Sequence, residues 1–137
     1  LYVGYGITGV RGQAEAGFPA VKNIGLPTLE AALAAGKTWN EAGCAALLSM
    51  LAQTVDTNMI HRGGMETTWE IMDLLRGILA EEPYPGRETL ENLDRLFVQK
   101  NLSPGGTADL LALVYFLHFL TFAALFSGYA PAAAKLV

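Results

Sequence analysis

The sequence predicts an all-α protein, and three observations support this fold class. Apolar residues recur at three- and four-residue steps along most of the 137 residues, which is the spacing of one helix face. The alternation typical of a strand never persists for more than a few residues. Hydrophobic residues make up 52% of the sequence, which is enough for the core of one compact multi-helix domain.

Six helices are expected, over residues 11–22, 27–35, 39–55, 65–80 and 88–100 and after Ser103. The third should begin at a capping box, because Thr38 and Glu41 can each satisfy a backbone N–H of the other. The fourth should end before Pro83 and Pro85, which cannot continue a helix. The core faces of the middle helices are expected to carry Leu47, Leu48, Met50, Leu51, Met65, Trp69, Met72, Leu75, Leu79, Leu90, Leu93, Leu96 and Phe97.

The last helix carries an uncharged, almost wholly apolar stretch over residues 110–126, and its length alone permits a membrane span. His118 and Thr121 in its middle, Asp109 at its start and the lack of basic flanks other than Lys135 argue against that span. A buried central helix is apolar on all sides for the same reason. Composition leaves both interpretations open.

Charge and cysteine content exclude several classes of protein. The net charge is −4 and the nine Lys and Arg residues are scattered, which argues against a general nucleic-acid binder. Cys44 is the only cysteine, so neither a disulfide framework nor a CxxC metal site is possible, and a reducing cytoplasm is consistent with this. The start of the sequence lacks a signal-peptide pattern. Since it opens at Leu1 without Met, we expect a fragment of a longer protein.

The segment over residues 101–109 indicates a helix start suited to an anion. Ser103 suits the N-cap and Pro104 the first helical position. Gly105 and Gly106 would leave the next N–H groups uncovered, and these bind phosphate together with the helix dipole.

Asp109 in the first turn would repel a phosphate unless a cation lay between them, and Mg²⁺ prefers one or two carboxylates plus phosphate oxygens. A plain N-terminal cap is the alternative.

Two further junctions between helices are polar. Arg11 and Glu15 stand four residues apart among glycines, which also suits a surface salt bridge. Asp56 lies at the expected C-terminal end of a helix, where the dipole disfavours it unless a cation is near. Arg62, beside two glycines, could hold a phosphate as a planar fork. His61 in a turn is more often structural than catalytic.

Together these segments resemble the triphosphoribosyl-dephospho-CoA synthase family, which makes the prosthetic-group precursor of citrate lyase and malonate decarboxylase. The resemblance rests on Gly-Val-Arg-Gly-Gln-Ala-Glu-Ala-Gly-Phe-Pro at 9–19, Asp-Thr-Asn and His-Arg-Gly-Gly within 56–64, and Asn-Leu-Ser-Pro-Gly-Gly-Thr-Ala-Asp-Leu-Leu-Ala at 101–112. Thr107 stands where Ser is expected. The family's N-terminal half is absent and the chain runs past the family's usual end, so the resemblance is to the C-terminal half of an all-α transferase.

The resemblance implies that the ribose 2′-hydroxyl of 3′-dephospho-CoA attacks the anomeric carbon of ATP and adenine leaves, giving 2′-(5″-triphosphoribosyl)-3′-dephospho-CoA. It implies a soluble cytoplasmic protein with a buried last helix, whose partners are small-molecule nucleotides and the missing half, without nucleic acid or membrane. His118 should then be a neutral core residue with a hydrogen-bond partner. The alternatives are a helical membrane or interaction protein, and a nucleotide-binding fragment inactive without its other half.

The resemblance also suggests roles for particular residues. Asp56 and Asp109 would hold Mg²⁺, and Glu15 would be the general base. With these two carboxylates, Arg11 and Arg62 should converge on one cleft. The expected phosphate and nucleotide ligands are Arg11, Gly12, Asn58, Arg62, Gly63, Gly64, Asn101, Ser103, Gly105, Gly106 and Thr107, of which Asn58 and Asn101 would orient sugar hydroxyls.

Overall fold

The computed structural model describes residues 9–127, with side chains described to residue 124, and confirms the all-α class. Lys135, the basic flank noted above, lies outside this range. Within the described residues there are helices and connecting segments but no strand. The helices are α1 (Gly9–Glu15), α2 (Leu26–Ala34), α3 (Trp39–Gln53), α4 (Thr57–Glu81), α5 (Arg87–Gln99) and α6 (Gly105–Ser127), and a π-helical turn, Val21–Gly25, leads into α2.

The first predicted helix, over residues 11–22, is divided in two. Gly17 and Phe18 have φ of 78° and 56°, a left-handed conformation that ends α1. Gln13 holds the resulting loop, because its Oε1 accepts a hydrogen bond from the Ala20 N–H at 2.9 Å. The chain then enters the π-helical turn. A sequence pattern that fits one continuous helix therefore becomes two short segments with different directions.

The capping box that was predicted to start α3 is confirmed. The Glu41 N–H donates to Thr38 Oγ1 at 3.1 Å, and the Thr38 N–H donates to Glu41 Oε2 at 3.2 Å. The predicted helix over residues 65–80 corresponds to the second segment of α4, and the short first segment, which begins at Thr57, was not predicted. Gly64, with φ of 86° and ψ of 170°, interrupts α4 and separates a short first segment from the long second one.

Two apolar clusters form the core, one on each side of α3. The first joins the π-helical turn, α2, α3 and α6, and the second joins α3, α4, α5 and the loop before α6. Most of the predicted core faces are buried or half-buried, but Trp69 is 44% exposed, which corrects its assignment. Gly25 permits close packing in the first cluster, because a Cβ there would lie 2.6 Å from Met50 Sδ and from Val114 Cγ2.

Helix α6 forms as predicted, but only one side of it is buried. Leu110, Val114 and Leu117 enter the core at four- and three-residue steps. The opposite side carries three phenylalanines that are more than half exposed, and we call them the aromatic face: Phe116, Phe119 and Phe122. Only 22% of the most apolar window within Gly105–Ala124 is buried, although this segment is long and apolar enough to cross a bilayer. The expectation of a helix buried all round is therefore wrong.

His118 is half-buried at the edge of the aromatic face and is not a core residue, which corrects the prediction. Its ring lies edge-on to Trp39, with centroids 5.3 Å apart. Trp39 also stacks on Phe119 at 5.2 Å. Tyr115 completes this group, since its hydroxyl donates to the Trp39 carbonyl at 2.9 Å. An aromatic cluster thus ties the start of α3 to the middle of α6.

Candidate functional site

The starts of α1, α4 and α6 meet at one end of the molecule. A Cβ on Gly9 would lie 3.0 Å from Thr57 Cγ2, so the α1 start touches the α4 start. A Cβ on Gly106 would lie 3.3 Å from Val10 Cγ2 and 3.5 Å from both Asp56 carboxylate oxygens. The three polar segments singled out in the sequence, up to about a hundred residues apart, are therefore neighbours in the fold.

Asp56 joins two of these helix starts. Its Oδ1 accepts hydrogen bonds from the backbone N–H groups of Asn58 at 2.9 Å and Met59 at 3.3 Å, which makes Asp56 the N-cap of α4. Its Oδ2 accepts from the Thr107 N–H at 2.8 Å and the Thr107 hydroxyl at 2.7 Å. The carboxylate is 3% exposed and Thr107 is 2% exposed. One buried charge thus caps α4 and anchors the first turn of α6.

The predicted position of Asp56 at the C-terminal end of a helix is wrong. Helix α3 ends at Gln53, and three residues intervene before α4 begins. At the start of α4 the dipole stabilises a negative charge, whereas at the end of α3 it would oppose one. Asp followed by a helical segment is a preferred N-cap pattern, so the Asp-Thr-Asn sequence carried the signal that the sequence interpretation missed.

A metal ion shared by Asp56 and Asp109 does not fit this geometry. The two oxygens of Asp56 already accept four hydrogen bonds, which occupies the roughly four lone-pair positions of a carboxylate. Asp109 is exposed and stands two residues beyond Thr107, about 200° around the helix. Among the described residues, no group of three or more His, Cys, Asp or Glu side chains is placed to hold a metal. Magnesium itself stays a prediction.

The glycines at the start of α6 have a packing role. A Cβ on Gly105 would lie 2.6 Å from Asn58 Nδ2, and Gly106 is buried beneath Asp56. The space between the three helix starts is about 10 Å³, no more than the volume that one water needs. The junction is therefore packed, and the expected open cleft around Asp56 is not formed within the described residues.

The cap of α6 also differs from the prediction by one residue. Helix α6 begins at Gly105, and the Pro104 carbonyl accepts the Ala108 N–H at 2.8 Å, so Pro104 rather than Ser103 holds the N-cap position. Asp109 consequently lies beyond the first turn. Both Thr107 donors go to Asp56, and this contact makes Thr107 an anchor instead of the expected phosphate ligand.

An exposed polar surface lies beside the packed junction, and we call it the Arg62 patch: Asn58, Arg62, Asn101 and Gly105. Asn58 and Arg62 stand four residues apart on the first segment of α4 and therefore share a face. Arg62 Nη1 donates to Asn101 Oδ1 at 3.3 Å, and Asn58 packs on Gly105. A guanidinium has five N–H donors, so this bond leaves most of the Arg62 fork available to a ligand.

The remaining predicted site residues lie near this end of the molecule in different settings. Arg11 Nε and Glu15 Oε1 form an ion pair of 3.2 Å whose side chains are 80% and 68% exposed, as the surface salt-bridge alternative predicted. Gly12 is half-buried within α1. A Cβ on Gly63 would overlap the Leu102 side chain, which brings the first segment of α4 against the loop before α6. Of the four residues expected in one cleft, Asp56 is buried, whereas Arg11, Arg62 and Asp109 are exposed. Arg62 bonds to Asn101 in the loop before α6.

Comparison with known proteins gives first the class of protein, because the family model that matches the chain describes a transferase. The chain belongs to the ATP:dephospho-CoA triphosphoribosyl transferase family, whose sequence model matches residues 1–125. The 2-(5″-triphosphoribosyl)-3′-dephosphocoenzyme-A synthase of Pectobacterium atrosepticum is 41% identical over 118 residues, 86% of this chain and 38% of the relative. The synthase of the same name from Escherichia fergusonii is 37% identical over 122 residues, 86% of this chain and 40% of the relative.

The chain spans about two fifths of the length of these curated relatives. The family match extends to residue 125 and therefore includes nearly all of α6. No solved structure matches the chain.

Proposed function

We propose that this chain is part of an enzyme that transfers the triphosphoribosyl group of ATP to the ribose 2′-hydroxyl of 3′-dephospho-CoA. The bond between the anomeric carbon and adenine breaks, the bond from that carbon to the 2′-oxygen forms, the hydroxyl gives up its proton and adenine leaves. The observation that supports this most strongly is the meeting of three family segments at the starts of α1, α4 and α6.

The Arg62 patch suits the binding half of this reaction. The triphosphate remains charged throughout, so the site needs fixed cations and N–H donors more than a protein nucleophile. We assign the Arg62 guanidinium and the Gly105 N–H to phosphate oxygens, because a helix start favours anions. Gly106, expected to be a second such donor, is buried beneath Asp56 and is left out. Asn58 and Asn101, on either side of Arg62, are assigned to sugar hydroxyls.

Three further roles are proposed for exposed side chains outside the patch. Arg11 is assigned to phosphate, and its partner Glu15 is the proposed general base that accepts the hydroxyl proton. Mg²⁺ would enter with ATP and neutralise phosphate charge, and Asp109 is the carboxylate proposed to face it, since Asp56 has no lone pair to spare.

The rest of a family-length enzyme is proposed to complete the site, with this chain corresponding to its C-terminal half. The aromatic face supports this arrangement, because three neighbouring phenylalanines each more than half exposed are typical of a surface that packs on a partner. The proposed setting is the bacterial cytoplasm, with citrate lyase or malonate decarboxylase as the enzyme served. In this setting α6 contacts protein and not lipid.

Adenine release tests the proposal. The chain would be mixed with ATP, 3′-dephospho-CoA and Mg²⁺, first alone and then with a fragment of the Pectobacterium relative that covers the part this chain does not match. We expect adenine to appear only when dephospho-CoA is present, and at a rate far higher in the combined sample. Recovery of the chain only in detergent-extracted membranes, without adenine release in either sample, would favour the membrane alternative instead.

A further inference from the structure

A groove runs between α3 and α5 and carries no role in the assignments above. Its apolar part has a volume of about 370 Å³, within the range of small-molecule sites. It is walled by aliphatic side chains of both helices, with Phe97 and Val98 on the α5 side. Leu102, Ser103 and Pro104 line it just before the start of α6, and Cys44 lies on the α3 wall.

The groove becomes polar beyond Cys44. A second cavity of about 570 Å³ continues from it and shares Cys44, Leu90 and Asp94 with the apolar part. Its lining adds Thr38, Asn40, Glu41, Arg87, Glu91 and Arg95. The whole groove is therefore amphipathic along its length, with an aliphatic middle and carboxylate, amide and guanidinium groups at the far end.

The part of the groove lined by Leu102, Ser103 and Pro104 adjoins the Arg62 patch. Asn101, which accepts the Arg62 hydrogen bond, directly precedes Leu102 in the chain, so their Cα atoms are about 3.8 Å apart. Gly63 packs against the Leu102 side chain from the other side. A molecule whose phosphates lay on Arg62 could therefore extend a chain past Ser103 into the groove without leaving the protein surface.

We propose that this groove binds the pantetheine arm of 3′-dephospho-CoA, with the pyrophosphate at the Arg62 patch and the thiol toward Cys44. The assignment rests on the proposed function for the identity of the substrate. Pantetheine is a flexible chain that alternates aliphatic groups with two amides, and its thiol end is small. Aliphatic walls suit its methyl and methylene groups, and the Asp94 carboxylate, which lines both cavities, suits an amide N–H.

The dimensions agree with this occupant. From Leu51 to Cys44 the α3 wall spans seven residues, about 10 Å, and it reaches Glu41 after about 15 Å. An extended chain of two amide units and a thiol end covers roughly 10–14 Å, the reach of three to four extended residues. No Lys or Arg lines the apolar part, which makes it unsuited to the phosphates of either substrate.

Protection of Cys44 from alkylation tests the assignment without requiring turnover. Cys44 is the only cysteine of the sequence, so incorporation of iodoacetamide reports on this groove alone. Burial raises the pKa of its thiol, and the reaction is therefore followed in alkaline buffer. The pantetheine ligands are used in desulfo form, with hydrogen in place of the thiol, because a free thiol would itself consume iodoacetamide. In this form, millimolar 3′-dephospho-CoA or 4′-phosphopantetheine should slow alkylation at least tenfold. ADP, which contains the pyrophosphate and adenosine but no pantetheine, should leave the rate within twofold.

A matched pair of variants adds a second measurement. Leu47→Phe narrows the groove, whereas Leu33→Phe makes the same change at a half-buried leucine of α2 that does not line it. We expect Leu47→Phe to raise the dephospho-CoA concentration for half-protection at least tenfold and Leu33→Phe to leave it unchanged. Thermal unfolding of both variants establishes that each remains folded.

The possible outcomes separate the groove from the proposed reaction. Cys44 alkylation that is equally fast with and without millimolar dephospho-CoA and phosphopantetheine overturns the groove assignment, whether or not adenine is released. Protection by phosphopantetheine in a system that never releases adenine supports the groove and contradicts the proposed reaction. Protection by ADP equal to that by dephospho-CoA also overturns the groove assignment, because the nucleotide and not the pantetheine arm would then protect Cys44.

Discussion

Asp56 and Thr107, 51 positions apart, are joined by two hydrogen bonds that end on a single carboxylate oxygen. The other oxygen of Asp56 caps α4, so one buried side chain holds two helix starts together. This relationship assigns Asp56 to the architecture of the site. The binding role is proposed for the exposed residues around it, above all Arg62.

The first prediction concerns this pair. Each oxygen of Asp56 accepts two hydrogen bonds. In Asp56→Asn one of these oxygens becomes an NH₂ group, so two buried donors lose their acceptor, and an unpaired buried donor costs about 1–3 kcal/mol. We expect the free energy of unfolding to fall by about 2–4 kcal/mol in urea titrations. Thr107→Ser keeps both donors and should cost less than about 1 kcal/mol. The loss of stability in Asp56→Asn should be the same in EDTA and in Mg²⁺. A loss seen only in Mg²⁺ would support Asp56 as a metal ligand.

The sequence was sufficient to predict the class and most helices, because local spacing and caps decide these. The Thr38 and Glu41 box starts α3 as expected. Contacts between residues distant in sequence decide how the helices are arranged and where a predicted helix is interrupted. Nothing local shows that Asp56 faces Thr107, and the pattern over residues 11–22 does not reveal that Phe18 takes a positive φ.

The sequence predicted that three polar segments would meet, and the starts of α1, α4 and α6 do lie together. The binding roles of Arg62, Asn58 and Asn101 stay predictions. The direction of a side chain around a helix could not be predicted, since it depends on which face the fold buries. Asp109 was expected beside Asp56, but burial of Thr107 and Leu110 turns it toward solvent. The aromatic face was missed for the same reason, because an all-apolar helix has no pattern to mark its exposed side.

Glycine substitutions distinguish close packing from free space. Gly25→Ala would place a methyl 2.6 Å from Met50 Sδ and Val114 Cγ2 in the core, and we expect a loss of about 1–3 kcal/mol from overpacking. Gly77→Ala makes the same change within α4, where nothing lies within 4 Å of the added Cβ. It should raise stability by about 0.5–1 kcal/mol. Equal effects of the two substitutions in thermal unfolding would contradict this packing.

Glu82 gives a prediction about pH. Its carboxylate accepts the Gly86 N–H at 2.6 Å and the Thr89 hydroxyl at 2.7 Å, and these bonds lower its pKa, the Gly86 bond most strongly. A pKa lower in the folded than in the unfolded state stabilises the fold above the unfolded value, and this contribution is lost as pH falls through the folded one. Glu82→Gln should therefore lower Tm near pH 7, and the difference from the parent should shrink below about pH 4.

The exposed Glu66 supplies the control for this titration, because Glu66→Gln changes net charge by the same amount on α4. At each pH, the change in Tm that Glu82→Gln causes beyond that of Glu66→Gln is assigned to the hydrogen bonds of Glu82 rather than to the loss of one charge. A Glu82→Gln difference that is independent of pH would show that the turn between α4 and α5 does not depend on the charged form.

Arg62 is expected to act on substrate binding rather than on stability. Arg62→Gln removes a charge-assisted bond to phosphate, which is worth roughly 1.5–3 kcal/mol, or at least a tenfold rise in KM for ATP. Arg62→Lys keeps the charge but loses the planar fork, so its KM for ATP should lie between those of the parent and Arg62→Gln. Arg76→Gln, on the second segment of α4 and paired with Asp73, is the control and should leave KM unchanged. An unaltered KM in Arg62→Gln would remove the patch from the ATP site.

The aromatic face should matter only when the partner fragment is present. Phe116 is 56% exposed, so Phe116→Gln should change the stability of the isolated chain by less than about 0.5 kcal/mol. Binding of the chain to the rest of the family-length enzyme should weaken at least tenfold, measured by titration calorimetry. Leu117→Gln, at a neighbouring position that is 4% exposed, should instead unfold the chain. Unchanged binding by Phe116→Gln would place the partner elsewhere.

The cap at Asp56 has a kinetic consequence for the native state. Helix ends ordinarily open and close one at a time, so their first amide hydrogens exchange with solvent at unrelated rates. Here the amides of Asn58 and Thr107 donate to the same carboxylate, and fraying of α4 is linked to fraying of α6. Deuterium should therefore enter both amides at one common, slow rate, which marks the two helix starts as a single cooperative unit.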